Sequence, residues 1–182
     1  MLVIHPDDRS TDFLREIYKG KPNVTLFNEI NEVKLEEAIT AAKDDKELTM
    51  FLGHGCPYGL FRIHPIDNLD NMLLIDGDDA KTYLSRRKNL FGMWCHANMF
   101  AVEQKLSGLW SGMIISEVHE AVYMNVKTCQ EEVTEENLLL ARNVRHCLDN
   151  YPLSEIPAVL KTMDKRKSEL TNFNYQSWYF YE

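Results

Sequence analysis

Short apolar runs alternate with amphipathic helical segments along much of this chain. The first two runs, Leu2 to Ile4 and Val24 to Phe27, are each followed by apolar residues at helical spacing, over 11–18 and 32–43. Strands that alternate with helices of this length favour a parallel sheet joined by right-handed crossovers. We therefore predict an α/β fold, a three-layer αβα sandwich with a mainly parallel sheet.

The length and composition of the chain fit one globular domain. Its 182 residues are enough to bury a sheet between two helical layers. A content of 45% hydrophobic and 26% charged residues is typical of such domains. No repeat, low-complexity tract or linker divides the sequence, so we predict a single domain over 1–182.

Charge and hydropathy exclude two classes of partner. The formal net charge is -8, and the basic residues form no dense stripe outside 161–167, so we expect no nucleic-acid partner. No apolar run has the length of a membrane span, and the N-terminus lacks the apolar core of a signal peptide. The four cysteines are too few and too irregularly spaced for a disulfide framework. We therefore predict a cytoplasmic protein with no membrane partner, and its oligomeric state stays open.

Two later apolar runs each end in a side chain that can carry chemistry. The run over 48–53 ends at His54-Gly55, and the run over 89–94 ends at Cys95, where a helical pattern follows within a few residues. In a parallel sheet both ends lie at one edge, which is where open α/β sheets hold their sites. A nearby helix N-terminus stabilises a thiolate. The sequence thus predicts that His54 and Cys95 meet, with a lowered pKa for the thiol.

These two blocks, an apolar run before His-Gly and a later apolar run before Cys, resemble the caspase-like cysteine peptidases. That superfamily includes caspases, metacaspases, gingipains, clostripain, legumain and separase. The resemblance implies a caspase-like fold, with His54 as acid and base, Cys95 as nucleophile, and the backbone N–H groups of Gly55 and Cys95 as oxyanion donors. It also implies a peptide or protein substrate, with no cofactor and no metal. The chain departs from the family at Trp94, where many members have alanine, and at His96, where caspases have Arg-Gly.

Glu117 is the candidate for substrate recognition. It follows a predicted core strand over 112–116, near the place where the family builds its specificity pocket. A carboxylate there would favour a basic residue before the scissile bond, as in the Arg- and Lys-directed members. The alternative is an ordinary surface glutamate at the start of a helix.

A second resemblance concerns the segment His5-Pro-Asp-Asp8. It is similar to the opening zinc motif of LmbE-like de-N-acetylases, in which the His and one Asp bind metal and another Asp acts as base. That motif normally continues with Glu and a Gly-rich turn, whereas Arg9-Ser10-Thr11 follows here. No later histidine pair completes the three protein ligands that a catalytic zinc requires.

A third possibility is a protein without catalytic activity. A flavodoxin-like interaction module or an inactive caspase-like domain would have the same order of strands and helices, so fold alone does not separate it from an enzyme. Thiol reactivity distinguishes such a protein from the peptidase, and metal content distinguishes it from the de-N-acetylase.

Three expectations concern the rest of the chain. Residues 56–64 should form a small hairpin or a loop over the site, with Cys56 packed in it. The longest helix should run over 131–150. The aromatic segment 175–181 alternates, which is typical of an edge strand or a docked tail.

Overall fold

A computed structural model describes residues 1–29, 31–42, 47–62 and 72–182. The strands among them are β1 (Leu2–Ile4), β2 (Thr25–Phe27), β3 (Thr49–Leu52), β4 (Gly55–Cys56), β5 (Gly59–Phe61), β6 (Leu73–Ile75), β7 (Leu90–Met93), β8 (Gly108–Ser111) and β9 (Trp178–Tyr181). The main sheet has six strands in the order β2-β1-β3-β7-β8-β9. Its neighbours pair in parallel except at the end, where β9 runs antiparallel to β8.

The helical elements follow these strands. They are a 3-10 helix (Arg9–Ile17), α1 (Glu32–Ala41), α2 (Gly77–Asp79) continuing as a π-helix (Ala80–Leu84), α3 (Ala97–Gln104), α4 (Val118–Tyr123), α5 (Gln130–Asn150), α6 (Ile156–Met163) and α7 (Glu169–Gln176). None of the helices in the described ranges is both long enough and apolar enough to cross a membrane.

Helices cover both faces of the main sheet. Successive side chains of a strand point to opposite faces, so each strand contributes side chains to two cores. On one face, Ile4 and Phe51 join a core with residues of α1, the π-helix and α3. On the other face, Val3 and Met50 join a core with residues of the 3-10 helix, α5 and α6. Each such side chain contributes about 1.5–3 kcal/mol on burial. The prediction of an α/β fold with a mainly parallel sheet is confirmed.

The strand order also indicates where a site should lie. The chain passes from β1 to β2 on one side and then crosses back to β3 on the other, so the direction of winding reverses between β1 and β3. In open α/β sheets, ligands bind outside the carboxyl ends of the strands at such a reversal. The strand order therefore favours a site formed by the loops after β1 and β3.

The predicted strand over 112–116 is wrong. The ladder with β7 uses Leu109 and Trp110 of β8 instead, and the chain leaves the sheet after Ser111. Ile114 and Ile115, which follow, are still buried, but the backbone of Ile115 forms its hydrogen bonds with a side chain. Its N–H donates to Asn174 Oδ1 at 2.8 Å and its carbonyl accepts from Asn174 Nδ2 at 2.9 Å.

Other expectations match the structure more closely. The long helix is present as α5, and the aromatic end of the chain is the antiparallel edge strand β9, although its first residues belong to α7. The segment after Gly55 forms β4 and β5, which pair with β6 in a small antiparallel sheet. Residues 63 and 64 of that predicted segment lie outside the described residues.

Candidate functional site

Adjacent parallel strands bring His54 and Cys95 to one cavity. Leu52 at the end of β3 lies opposite Met93 at the end of β7, and the Gly53 N–H extends the pairing by donating to the Met93 carbonyl at 3.2 Å. Two residues beyond the Leu52–Met93 pair, the two strands reach His54 and Cys95. Both residues line the same cavity at this edge, as the sequence predicts.

This cavity is narrow. Its volume is about 20 Å³, room for roughly one water molecule. Its walls come from the 3-10 helix after β1, from the ends of β3 and β7, and from the loop after β8. Besides His54 and Cys95, the wall residues include Phe13, Leu14, Met93, Ile114 and Ser116.

Trp94 fixes the loop that carries His54. Its indole is 2% exposed and its Nε1–H donates to the Cys56 carbonyl at 3.1 Å, which ties β4 to the end of β7. A Cβ atom on Gly55 would overlap the Trp94 ring and would lie 2.5 Å from the Gly59 carbonyl oxygen. Glycine after His54 is therefore required for this close approach. The tryptophan that departs from the family pattern has a structural role here.

The Gly55 N–H is not used in the pairing of β4 with β5. The Phe61 N–H donates to the His54 carbonyl at 2.8 Å, which makes Gly55 and Leu60 a non-hydrogen-bonded pair. In such a pair the N–H groups point away from the partner strand. This geometry is compatible with the predicted oxyanion role of Gly55, which stays a prediction, as does that of the Cys95 N–H.

The thiol of Cys95 has acidic surroundings. Its Sγ lies 3.7 Å from the Ile114 carbonyl oxygen and 3.7 Å from Glu120 Oε1, so it is placed to donate to these oxygens. Burial, and after it the Glu120 carboxylate, raise the pKa of the thiol from about 9 to about 12. The predicted lowering of this pKa is therefore wrong. Cys95 does precede α3 by two residues, but burial and a carboxylate outweigh the helix N-terminus.

Glu120 is held firmly in this position. Its Oε2 accepts from the Ser116 N–H at 2.7 Å and from the Glu117 N–H at 3.0 Å, which caps α4. The predicted recognition residue Glu117 is half-buried at the N-cap of α4, with its Oε2 3.6 Å from His119 Nε2. The carboxylate that contacts the thiol is thus Glu120, which the sequence analysis missed. The Glu-x-x-Glu spacing of a capped helix start was the available signal.

His54 contacts a second group that the sequence analysis did not assign. Ser10 Oγ lies 2.7 Å from His54 Nε2 and 2.7 Å from Asp8 Oδ1. Asp8 Oδ1 also accepts from the Ser10 N–H at 2.9 Å, which caps the 3-10 helix. The Asp-x-Ser pattern after β1 indicates such a cap. That this cap lies beside His54 follows from the adjacency of β1 and β3.

His5 is a buried structural residue. Its Nδ1 lies 2.9 Å from Tyr18 Oη and its Nε2 lies 3.2 Å from Thr11 Oγ1, and burial lowers its pKa to about 4. Both ring nitrogens are therefore engaged, which weighs against His5 as a zinc ligand. Within the described ranges, no group of three or more His, Cys, Asp or Glu side chains is placed to hold a metal ion.

The remaining thiols are unpaired and differ in environment. Cys56 is half-buried in β4, Cys129 is exposed before α5, and Cys147 is buried within α5. His96, next to the candidate nucleophile, occupies the N-cap position of α3 with φ +67°.

A larger cleft of about 500 Å³ lies elsewhere, between the β4–β5 turn and α3. Its walls include Tyr58, Asp76, Met99 and Glu103, whereas His54 and Cys95 line the narrow cavity instead. Volume alone does not make a site. The narrow cavity is lined by an imidazole and a thiol, the two groups that acyl transfer by way of a thiolate would use.

Comparisons of the sequence with protein-family models and with curated proteins gave no match. The function of this chain is therefore inferred below from its own residues. These supply a thiol, an imidazole with two polar neighbours, and a carboxylate beside the thiol.

Proposed function

We propose that this chain is a caspase-like cysteine peptidase, a hydrolase in which His54 and Cys95 act as a dyad. The observation that carries the proposal is that both residues line one cavity at the carboxyl ends of adjacent parallel strands. Nucleophile and base must be able to reach each other, and this register brings them to the same place. The reducing cytoplasm is the setting that keeps such a thiol free.

The reaction follows from the two groups. His54 takes the thiol proton of Cys95, and the sulfur forms a bond to the substrate carbonyl carbon while the carbonyl electron pair moves to oxygen. The intermediate collapses, the C–N bond breaks, and the leaving amine takes the proton from His54. Water then attacks the thioester, giving one proton to His54. The C–S bond breaks, and the departing sulfur recovers that proton as the acid product leaves.

The negative charge on the carbonyl oxygen needs hydrogen-bond donors. We assign this role to the backbone N–H groups of Gly55 and Cys95. The unused direction of the Gly55 N–H in the β4–β5 pairing supports this assignment. Removing one such donor costs about 100- to 1000-fold in rate in known oxyanion holes.

The resting site is inactive in this account. A thiol with a pKa of about 12 stays protonated at neutral pH, and a cavity of about 20 Å³ does not admit a peptide bond. Substrate binding therefore requires movement of the cavity walls. Proton transfer to His54 accompanies attack and does not precede it.

The carboxylates beside the thiol bear on the substrate. We propose a basic residue before the scissile bond, recognised by Glu117 as the resemblance implies, or by Glu120, which lies closer to Cys95. A cation paired with Glu120 would also remove part of the repulsion that opposes thiolate formation.

The test is cleavage of fluorogenic peptides that carry Arg, Lys, Asp or Asn before the scissile bond. We expect cleavage after Arg or Lys, and we expect the Cys95→Ala and His54→Ala variants to fall to the background rate. Cys129→Ala is the matched control, because this thiol is exposed and lies outside the cavity. Cleavage that survives Cys95→Ala would contradict the proposal.

A second candidate is a caspase-like or flavodoxin-like interaction module without catalytic activity. The observation that favours it is the raised pKa of Cys95, which is the opposite of an activated nucleophile at rest. A folded protein that cleaves none of the peptides, and in which Cys95 stays unreactive towards substrate-like electrophiles, would support this candidate.

A further inference from the structure

We propose that Ser10 and Asp8 are positioning residues for His54, which set its tautomer and make Nδ1 the nitrogen that exchanges a proton with Cys95. This inference rests on the proposed function of the dyad. Its geometric basis is the chain of 2.7 Å contacts from Asp8 Oδ1 to Ser10 Oγ and from Ser10 Oγ to His54 Nε2.

The direction of these hydrogen bonds follows from the number of protons. A carboxylate only accepts, so the 2.7 Å contact between Asp8 Oδ1 and Ser10 Oγ requires the single hydroxyl proton of Ser10. The Ser10 oxygen then has only lone pairs to offer towards His54. The 2.7 Å contact on that side therefore requires a proton on His54 Nε2. In neutral imidazole the other nitrogen, Nδ1, then carries the basic lone pair.

The segment that carries Ser10 is anchored by the neighbouring Thr11 and by His5 at the end of β1. The Thr11 hydroxyl donates to the Asp8 carbonyl at 3.0 Å, and His5 Nε2 lies 3.2 Å from the same hydroxyl. Asp8 itself caps the 3-10 helix. Ser10 is thus held by groups that do not take part in the reaction, which is what a positioning residue requires.

The same contacts favour the charged form of His54 after proton transfer. The Ser10 oxygen continues to accept from Nε2–H, and Asp8 Oδ2 lies 4.0 Å from Nε2. His54 and Asp8 are only 12% and 16% exposed, so solvent screens this pair weakly. The arrangement has the logic of a catalytic triad, in which a carboxylate orients the base, with a serine hydroxyl interposed.

Histidine ring ¹⁵N NMR of the intact protein measures the tautomer directly. We expect the neutral His54 ring to be in the Nε2–H form in the wild type and to become a mixture of both tautomers in Ser10→Ala. Ser10→Thr keeps the hydroxyl and should restore the Nε2–H form. Ser85→Ala, which removes an exposed hydroxyl on the π-helix side of the sheet, is the matched control. A wild-type ring in the Nδ1–H form, or no change in Ser10→Ala, would overturn the proposal.

Kinetics supply the second readout. Loss of a hydrogen bond to a charged group should lower kcat/KM of Ser10→Ala about 10- to 100-fold. The loss should fall on kcat with little change in KM, and Ser10→Thr should recover most of it. Equal kcat for wild type and Ser10→Ala would contradict a positioning role.

The two readouts separate this inference from the proposed function. The tautomer is measured without any substrate, so it decides the role of Ser10 even if no peptide is cleaved. Conversely, cleavage that depends on Cys95 but not on Ser10 would leave the dyad intact and remove the positioning pair. Cleavage that depends on Ser10 but survives Cys95→Ala would instead identify Ser10 as the nucleophile and overturn both.

Discussion

Glu120→Gln should make Cys95 more reactive. In the structure, Glu120 Oε1 lies 3.7 Å from Cys95 Sγ, and its charge is the second cause, after burial, of the raised pKa of the thiol. Glutamine has the same shape and retains a carbonyl oxygen that can accept from the Ser116 and Glu117 N–H groups. The substitution therefore removes the charge while preserving the cap of α4.

The size of the effect follows from the thiolate fraction, because the thiolate is the reactive species. At pH 8 a thiol with a pKa of 9 is about one tenth ionised, whereas one with a pKa of about 12 is ionised in about one molecule in 10⁴. Cys95 should then react about 1000-fold more slowly than an ordinary exposed thiol. Burial is the larger cause of the raised pKa, so the charge of Glu120 accounts for a smaller part of it. Removal of this charge should accelerate alkylation of Cys95 about 10-fold.

The assay is alkylation by iodoacetamide between pH 6 and pH 10, followed for each cysteine by peptide mass spectrometry. Exposed Cys129 is the internal standard. Glu117→Gln is the matched control, because Glu117 makes a smaller contribution to the raised pKa, and it should change the rate less than Glu120→Gln. Alkylation of Cys95 as fast as Cys129 at pH 8, or an unchanged rate in Glu120→Gln, would refute the electrostatic account.

Three further predictions concern stability, measured by urea unfolding. Glu136 is fully buried and its pKa is raised from 4.5 to about 7, so the folded state loses stability as the pH rises through this range. Glu136→Gln should be more stable than the wild type by up to about 3 kcal/mol at pH 8 and equally stable near pH 4. A difference that stays constant with pH would contradict this. Buried His5 has its pKa lowered from 6.5 to about 4, so it contributes stability that is full above pH 6.5 and is lost as the pH falls towards 4. Between these pH values, His5→Gln should lose about 3 kcal/mol less free energy of unfolding than the wild type. Parallel plots of unfolding free energy against pH for the two proteins would exclude this role. Gly55→Ala should lower the free energy of unfolding by about 1–3 kcal/mol because the new methyl group overlaps Trp94. Unchanged stability would show that the loop can shift without cost.

The sequence predicts the meeting of His54 and Cys95 because both residues end apolar runs, and strand ends of a parallel sheet share an edge. The same reasoning does not reach Ser10 and Glu120. Ser10 lies in the first turn that Asp8 caps, and Glu120 caps α4. Only the strand order and the packing of α4 bring these two residues to His54 and Cys95. The predicted lowering of the thiol pKa was wrong for the same reason. Burial, and contact with a carboxylate 25 residues away in the sequence, are properties of the tertiary structure.

The error at β8 has a different cause. The run over 112–116 is as apolar as a strand, and periodicity does not distinguish a buried strand from a buried loop. The choice is made by backbone partners: Leu109 and Trp110 pair with β7, whereas Ile115 bonds to the side chain of Asn174. No local feature of the sequence identifies Asn174 as that partner.

The most direct test of the dyad is the site of reaction of a peptidyl fluoromethyl ketone with Arg or Lys beside the reactive group. Such a reagent places its carbonyl where the substrate carbonyl would lie, so it reacts through the assembled site and not through resting thiolate. We expect a single adduct on Cys95, faster than iodoacetamide labelling of the same thiol, absent in Cys95→Ser and at least about 100-fold slower in His54→Ala. Adducts spread over the four cysteines according to exposure, or an unchanged rate in His54→Ala, would contradict the proposed function.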